Sequence, residues 1–331
     1  MTEFLAVERT AASALLAEAG SRDGMPVSPY RYLNENCALM VREFPTSVLD
    51  VGVGHGKWGF LCRDTLEAFV GSRYFKRDWK LRVDGIEVFA AYHNPVWDYA
   101  YDHVWIGDAC DLLPALDVYD LILALEVIEH TEKASGLALL GEMVRHAVRG
   151  VVLSFPDAES PDALVQGESY GNPHERHRSL WSPADVAAYA CEALSPTHVF
   201  VRDPGKRRIA AVELASQVNG AHVVRHAAKG CEQPSQPWLV LCGPGSTLRV
   251  PFTGTRAHVY FVRHGFCGAA DVRIDGTPVA RVPLFVPGAA QYGCWRTPPL
   301  PAGPHVLELE ALADGDPTRS EVWLDDVVLE R

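Results

Sequence analysis

The stretch Val48–Gly59, VLDVGVGHGKWG, decides how the first half of the chain folds. Residues 47–51, SVLDV, are mostly apolar and β-branched, which predicts a buried strand ending at Asp50 to Val51. Gly52, Gly54 and Gly56 then break the run. Spaced glycines let the backbone turn tightly and approach a ligand with no Cβ in the way. The following WGFLCRDTLEAFV has helical spacing, so the order is strand, glycine turn, helix start, the usual cradle of a nucleotide-type ligand.

Beyond this stretch, 331 residues exceed one typical domain, and 48% hydrophobic residues suffice for full cores. A formal net charge of −12 argues against nucleic acid as partner, because phosphate binding wants clustered Lys and Arg. The basic patches RYFKRDWKLR and PGKRR read as solvated faces or strand edges. No apolar run reaches the roughly 20 residues that span a bilayer, so no membrane partner is expected. The N-terminal MTEFLAVERTAASALLAEAG reads as an acidic amphipathic helix rather than a signal peptide. Eight scattered cysteines form no CxxC pair, which indicates neither a zinc site nor a disulfide framework and fits reduced thiols in the cytoplasm.

Two textures divide the chain. Up to about Ser216, the strands SVLDVGVG, LRVDGIEVF, HVWIGDA, YDLILALEV and RGVVLSFP alternate with helical segments, which predicts an α/β domain over residues 1–216 with a parallel sheet covered on both faces. THVFVRD and RIAAVELAS, joined by PGKRR, read as a closing hairpin. Residues 217–236 read as a linker. Over 237–331, six short runs among Gly/Pro turns predict an all-β jelly roll or β-sandwich.

The residues beyond the glycines narrow the ligand. The pattern is Asp50-x-Gly52-x-Gly54-x-Gly56 rather than the dinucleotide GxGxxG. The second strand ends at Glu87, where a carboxylate can accept from both ribose hydroxyls, and the third ends at IGDA, placing Asp108 for an adenine amino group. With YDLILALEVIEHTEK as fourth strand and loop, the region Val48–Asp185 resembles class I S-adenosylmethionine-dependent methyltransferases. GIEVF, DLILALEVIEH and YGNPHERHRSLWSP are similar to a bacterial group of them from glycan and secondary-metabolite pathways. One departure is that Glu87 lies further from the glycines than the usual twenty-odd residues, because a segment around FVGSRYFKRDWK is inserted.

The resemblance implies a Rossmann-like seven-stranded methyltransferase sheet that binds S-adenosyl-L-methionine through Asp50, Gly52, Gly54, Gly56, Glu87, Val88, Asp108, Ala109 and Leu125. Asp50 would anchor the loop near the methionine amino group, or serve only as a turn residue. Tyr30, Arg31 and Tyr32 would close over the cofactor or acceptor, or pack an N-terminal helix. For an alcohol acceptor a positioned His is the expected general base. His177 is the first choice, then His130 and His174, although His130 also fits a capping or core role. No metal is expected, since only Asp157, Glu168 and Glu175 accompany the pair His174 and His177.

GPHVLELEA and EVWLDDVVLE resemble the last strands of galactose-binding-like jelly rolls; the domain reads first as structural or oligomerising, with sugar binding through Tyr260, Tyr292, Trp295 and Trp323 as the alternative, since alternation puts some of these aromatics in the core. The expectation is O-methylation of a sugar, glycan or glycosylated metabolite, with a small-molecule or glycan acceptor as partner and a homo-oligomer possible. N- or C-methylation of a small natural product, or non-catalytic glycan binding on a SAM-type fold, are the other readings.

Overall fold

The computed structural model describes Ser28, residues 30–159, Ala163, 171–225 and 237–331. The N-terminal amphipathic segment, the side chain of Arg31, Glu168, Cys231 and residues 226–236 of the expected linker lie outside the described residues. Two compact units emerge. One holds Ser47–Leu66 and Leu81–Asp203 with the described residues up to Met40; the other holds Val41–Thr46, Glu67–Lys80 and the described residues from Pro204 to Arg331.

The first unit is built on seven strands: β1 Ser47–Val51, β2 Arg82–Glu87, β3 His103–Ile106, β4 Tyr119–Leu125, β5 Ala147–Ser154, β6 Ala190–Ser195 and β7 His198–Arg202. Their order is β3-β2-β1-β4-β5-β7-β6. Strands β1 to β5 run parallel, and β7 runs antiparallel to both β5 and β6. Every residue of β1, β4 and β5 is buried, as expected for parallel strands covered on two faces. The pleat sends alternate residues to opposite cores. Ile122 and Ala124 pack with Leu139, Leu140 and Met143 of the helix Lys133–His146, whereas Leu121 and Leu123 pack with Trp58, Cys62 and Trp97. The strand order reverses between β1 and β4, and open sheets of this kind bind ligands outside the carboxyl ends at that switch point.

The second unit is two antiparallel sheets around one apolar core. Its strands are β8 Lys206–Ala210, β9 Val218–Asn219, β10 His222–Arg225, β11 Trp238–Cys242, β12 Thr247–Gly254, β13 Arg256–Arg263, β14 Ala269–Ile274, β15 Thr277–Pro283, β16 Gln291–Arg296, β17 Gly303–Leu312 and β18 Glu321–Glu330. One sheet runs β10-β11-β18-β13-β16 with β8 also on β18; the other runs β15-β14-β17-β12-β9. Alternation is plainest in β12, whose buried Leu248, Val250 and Phe252 join Leu307, Leu309, Leu324 and Val327 in the core.

Three expectations are corrected here. The hairpin expected from THVFVRD and RIAAVELAS does not form: β7 pairs with β5 and β6, while β8 pairs with β18, Val327 lying opposite Ile209. Val218–Asn219 and His222–Arg225, expected in the linker, are strands paired with β12 and β11. Tyr260 is 1% exposed, so it cannot serve as a sugar platform.

Leu123 is fully buried in β4 beneath the switch point. Leu123→Ala is expected to cost about 2–5 kcal/mol through lost transfer energy and a residual cavity, read as a lower denaturant midpoint with native far-UV circular dichroism.

Candidate functional site

A cavity of about 680 Å³ lies in the first unit, lined by the loop after β1 together with the ends of β2 and β4 and the segment Asn172–Arg178. Its size suits a cofactor with an acceptor beside it. The loop forms as expected: Gly52, Gly54 and Gly56 have φ of 79°, 52° and 91°, the left-handed region in which side chains are strained. At Gly52 the strain is compounded, because a Cβ would stand 2.5 Å from Cγ2 of Val127. This close approach brings the glycine turn against the segment after β4.

Glu87 ties the loop down. Its Oε2 accepts from Gly54 N–H (2.8 Å) and its Oε1 from Phe89 N–H (2.9 Å), from a position 5% exposed on the cavity wall. Burial raises its carboxyl above the ordinary range, and the two N–H groups pull the other way. Despite the long insertion before β2, Glu87 therefore reaches the glycine turn. Val88, Asp108, Ala109 and Leu125 also line the cavity, with Gly52 and Gly54. Asp108 caps the helix Ala109–Leu112, its Oδ1 accepting from Cys110 N–H at 2.8 Å.

Asp50 and Gly56 do not line the cavity. Asp50 is 1% exposed, and its Oδ2 accepts from the hydroxyl of Tyr101 at 2.5 Å while Oδ1 is buried without a hydrogen-bond partner. The same hydroxyl accepts from Gly59 N–H at 3.0 Å, and a Cβ on Gly59 would fall 2.2 Å from Cζ of the ring. Asp50 thus faces Tyr101. Burial pushes its carboxyl up to about 7, the Tyr101 bond opposing and Glu87 adding to the rise. Gly56 sits at the N-cap of the helix Lys57–Cys62, its missing Cβ giving room to Val96 and Trp97.

The histidines regroup. His130, His174 and His177 all line the cavity, but His174 stands apart from a cluster of Glu129, His130 and His177, whose potential donor atoms lie within 4.8 Å of one another. The rings of His130 and His177 are 4.9 Å apart. Arg178 and Ser179 both donate backbone N–H bonds to the Glu129 carbonyl (2.7 and 3.1 Å), which holds the segment after β5 against the segment after β4. Nδ1 of His177 is 2.8 Å from the Ala163 carbonyl, so it carries the proton and leaves Nε2 with a lone pair. Glu129 is 1% exposed and neither carboxylate oxygen has a hydrogen-bond partner. Burial, with Glu126 beside it, holds that carboxyl well above the ordinary range, and burial lowers His130. Glu175, named in the sequence, accepts from Tyr92 Oη (2.6 Å) and Asn172 Nδ2 (3.3 Å) on the same wall.

Several wall residues were missed by sequence reasoning. Lys57 donates to the Ser28 carbonyl, and its Nζ stands 4.6 Å from the centroid of the Tyr30 ring. Tyr30 is thus near the wall, whereas Tyr32 stacks on His198 (4.6 Å) and bonds Thr197. Glu126 has φ of 60°, a strained conformation for a non-glycine, held by Ser154, whose hydroxyl donates to its Oε1 at 2.9 Å. Glu129 was legible as the acid of EVIEH, next to a histidine already chosen. Among the residues lining the cavity, Asp108, Glu126, Glu132 and Glu175 outnumber the cations Lys57 and Arg178, an environment that favours a positively charged ligand.

No protein-family model matches the chain, and no curated protein matches it. Parts of it are similar to solved structures. An O-methyltransferase family protein from Burkholderia thailandensis is 9% identical, over 53% of this chain and 57% of that one, with a TM-score of 0.37. A SAM-dependent methyltransferase from Archaeoglobus fulgidus is 15% identical over 54% and 70%, at 0.36. A family two carbohydrate esterase from Cellvibrio japonicus is 21% identical over 38% of this chain, at 0.27, the match spanning 33% of the esterase. All three likenesses are partial. Among the described residues no helix is long and apolar enough to cross a membrane.

Asp50 supplies a test of this electrostatic picture. A carboxyl whose folded-state pKa is about 7, against an ordinary value of 3.8, binds a proton more tightly folded than unfolded. Stability from that proton is full below pH 3.8 and is lost as pH rises towards 7. Asp50→Asn keeps an acceptor for Tyr101 and removes the titration. The variant is expected to gain up to a few kcal/mol on the native protein between pH 4 and 7, measured by urea unfolding across that range; parallel pH curves would reject the assignment.

Proposed function

We propose that this chain is an S-adenosyl-L-methionine-dependent O-methyltransferase whose acceptor is a hydroxyl of a sugar, glycan or glycosylated metabolite. The single observation that carries the reading is a glycine turn fastened by a buried Glu87 at the switch point of the sheet, opening into an acid-lined cavity with a Glu–His cluster on its wall. The residues fit the cofactor. The left-handed turn at Gly52 and Gly54 leaves room where a side chain would stand, Glu87 and Asp108 supply acceptors for ribose and adenine, and Lys57 supplies a cation for a carboxylate. Asp50 acts behind the wall, fixing the start of the helix through Tyr101.

When bound, S-adenosyl-L-methionine supplies a methyl group already activated on a sulfonium. What remains for the protein is to align an acceptor and to deal with the hydroxyl proton. Glu175, Asn172, His174 and Tyr92 give this part of the wall the hydrogen-bonding groups that a hydroxyl-rich acceptor needs. The Glu129, His130 and His177 cluster is the group placed to handle the proton. The β-sandwich is proposed to contribute sugar binding through Trp295 and Trp323, which pack one part of each ring on the sandwich core and leave the rest partly exposed.

Calorimetry with S-adenosylhomocysteine tests the cofactor. Glu87→Gln removes the charge and one acceptor from the glycine turn, and affinity should fall by roughly 1–3 kcal/mol; undiminished affinity would reject the ribose assignment. His177→Ala should leave that affinity near the native value and lower kcat on a glycosylated acceptor by about 100-fold or more. An effect confined to KM would instead make His177 an acceptor-binding residue.

A further inference from the structure

We infer that Glu129, His130 and His177 form a binding site for a divalent first-row transition-metal ion, an inference that rests on the proposed methyltransferase reading and sharpens it. Three independent observations converge. The donor atoms of the three side chains already lie within 4.8 Å of one another. Both oxygens of Glu129 are buried with no hydrogen-bond partner, and so is Nδ1 of His130; an anion left this way in a protein interior is costly unless a proton or a cation compensates it. His177 donates its Nδ1 proton to the Ala163 carbonyl, the outer contact typical of a metal-bound imidazole, and this leaves the Nε2 lone pair for a metal.

Two imidazoles and one carboxylate favour Mn²⁺, Fe²⁺, Co²⁺ or Zn²⁺ over Mg²⁺ and Ca²⁺, which prefer oxygen alone. Three protein ligands also leave a coordination position open, as catalytic sites require. All three residues line the cavity, so that position is available to an acceptor. A hydroxyl coordinated there is more acidic: its O–H bond breaks with the electron pair kept on oxygen and the proton passed to water. In this arrangement His130 and His177 are ligands and not bases. The sequence reading expects no metal for want of a carboxylate beside the histidines, and Glu129 is that carboxylate.

The test uses the full chain stripped with a chelator. Titration with Co²⁺ should give visible d–d absorption saturating at one equivalent, displaced by Zn²⁺. Glu129→Gln, His130→Ala and His177→Ala should each weaken binding roughly tenfold or more, with circular dichroism and S-adenosylhomocysteine calorimetry confirming a native fold. His130 and His177 are only half-buried, so His130→Ala and His177→Ala test the site even if the variant at the buried Glu129 fails to fold. Absence of saturable absorption in the native protein, or equal binding by native protein and His177→Ala, overturns the site. S-adenosylhomocysteine binding on the same stripped sample separates the two readings: binding without Co²⁺ absorption removes only the metal, whereas loss of binding by native protein removes the cofactor reading.

Discussion

Everything at the candidate site depends on the two backbone N–H groups that Glu87 holds. One carboxylate fastens Gly54, in the loop after β1, and Phe89, just past the end of β2, so the turn that sequence alone makes flexible is given a single shape. Glycines contribute permission and the acid contributes the decision. The parallel strands beneath supply the rigidity, since β1, β4 and β5 are buried along their whole lengths. The carboxylate is itself buried, and an anion there is tolerated because both of its oxygens have donors.

Glu129 is the opposite case. It is as buried as Glu87, yet neither oxygen has a hydrogen-bond partner, His130 Nε2 standing 3.9 Å from Oε1. A buried carboxyl left without donors needs a proton or a bound cation to compensate it. The strained backbone of Glu126 three residues earlier lies on the same wall, so departure from local comfort concentrates where β4 ends.

Local signals made the strand, glycine turn and helix readable, because apolar runs and glycines report on their immediate surroundings. Alternation likewise revealed most sandwich strands. It did not reveal β16, QYGCWR, whose six residues are all half-buried and so show no period of two. Nor could it show that Lys206–Ala210 pairs with the last strand of the chain, over a hundred residues away, rather than with its neighbour. The same limit applied to the histidines. His174 and His177 are close in sequence and invited pairing, but the backbone bonds from Arg178 and Ser179 to Glu129 bring His177 to His130 instead. For Asp50 the position in the motif is visible in the sequence, whereas its bond to Tyr101, 51 residues on, is not.

The packing of Gly59 against Tyr101 bears on how this sequence can drift. The tyrosine ring occupies the space of the absent Cβ, while its hydroxyl serves both the Gly59 N–H and Asp50. Positions 50, 59 and 101 are therefore tied into one unit of inheritance. In related chains a side chain at 59 should occur only with a smaller residue at 101, and a residue at 101 without a hydroxyl only where 50 is no longer acidic. Three positions far apart in sequence would then change together or not at all.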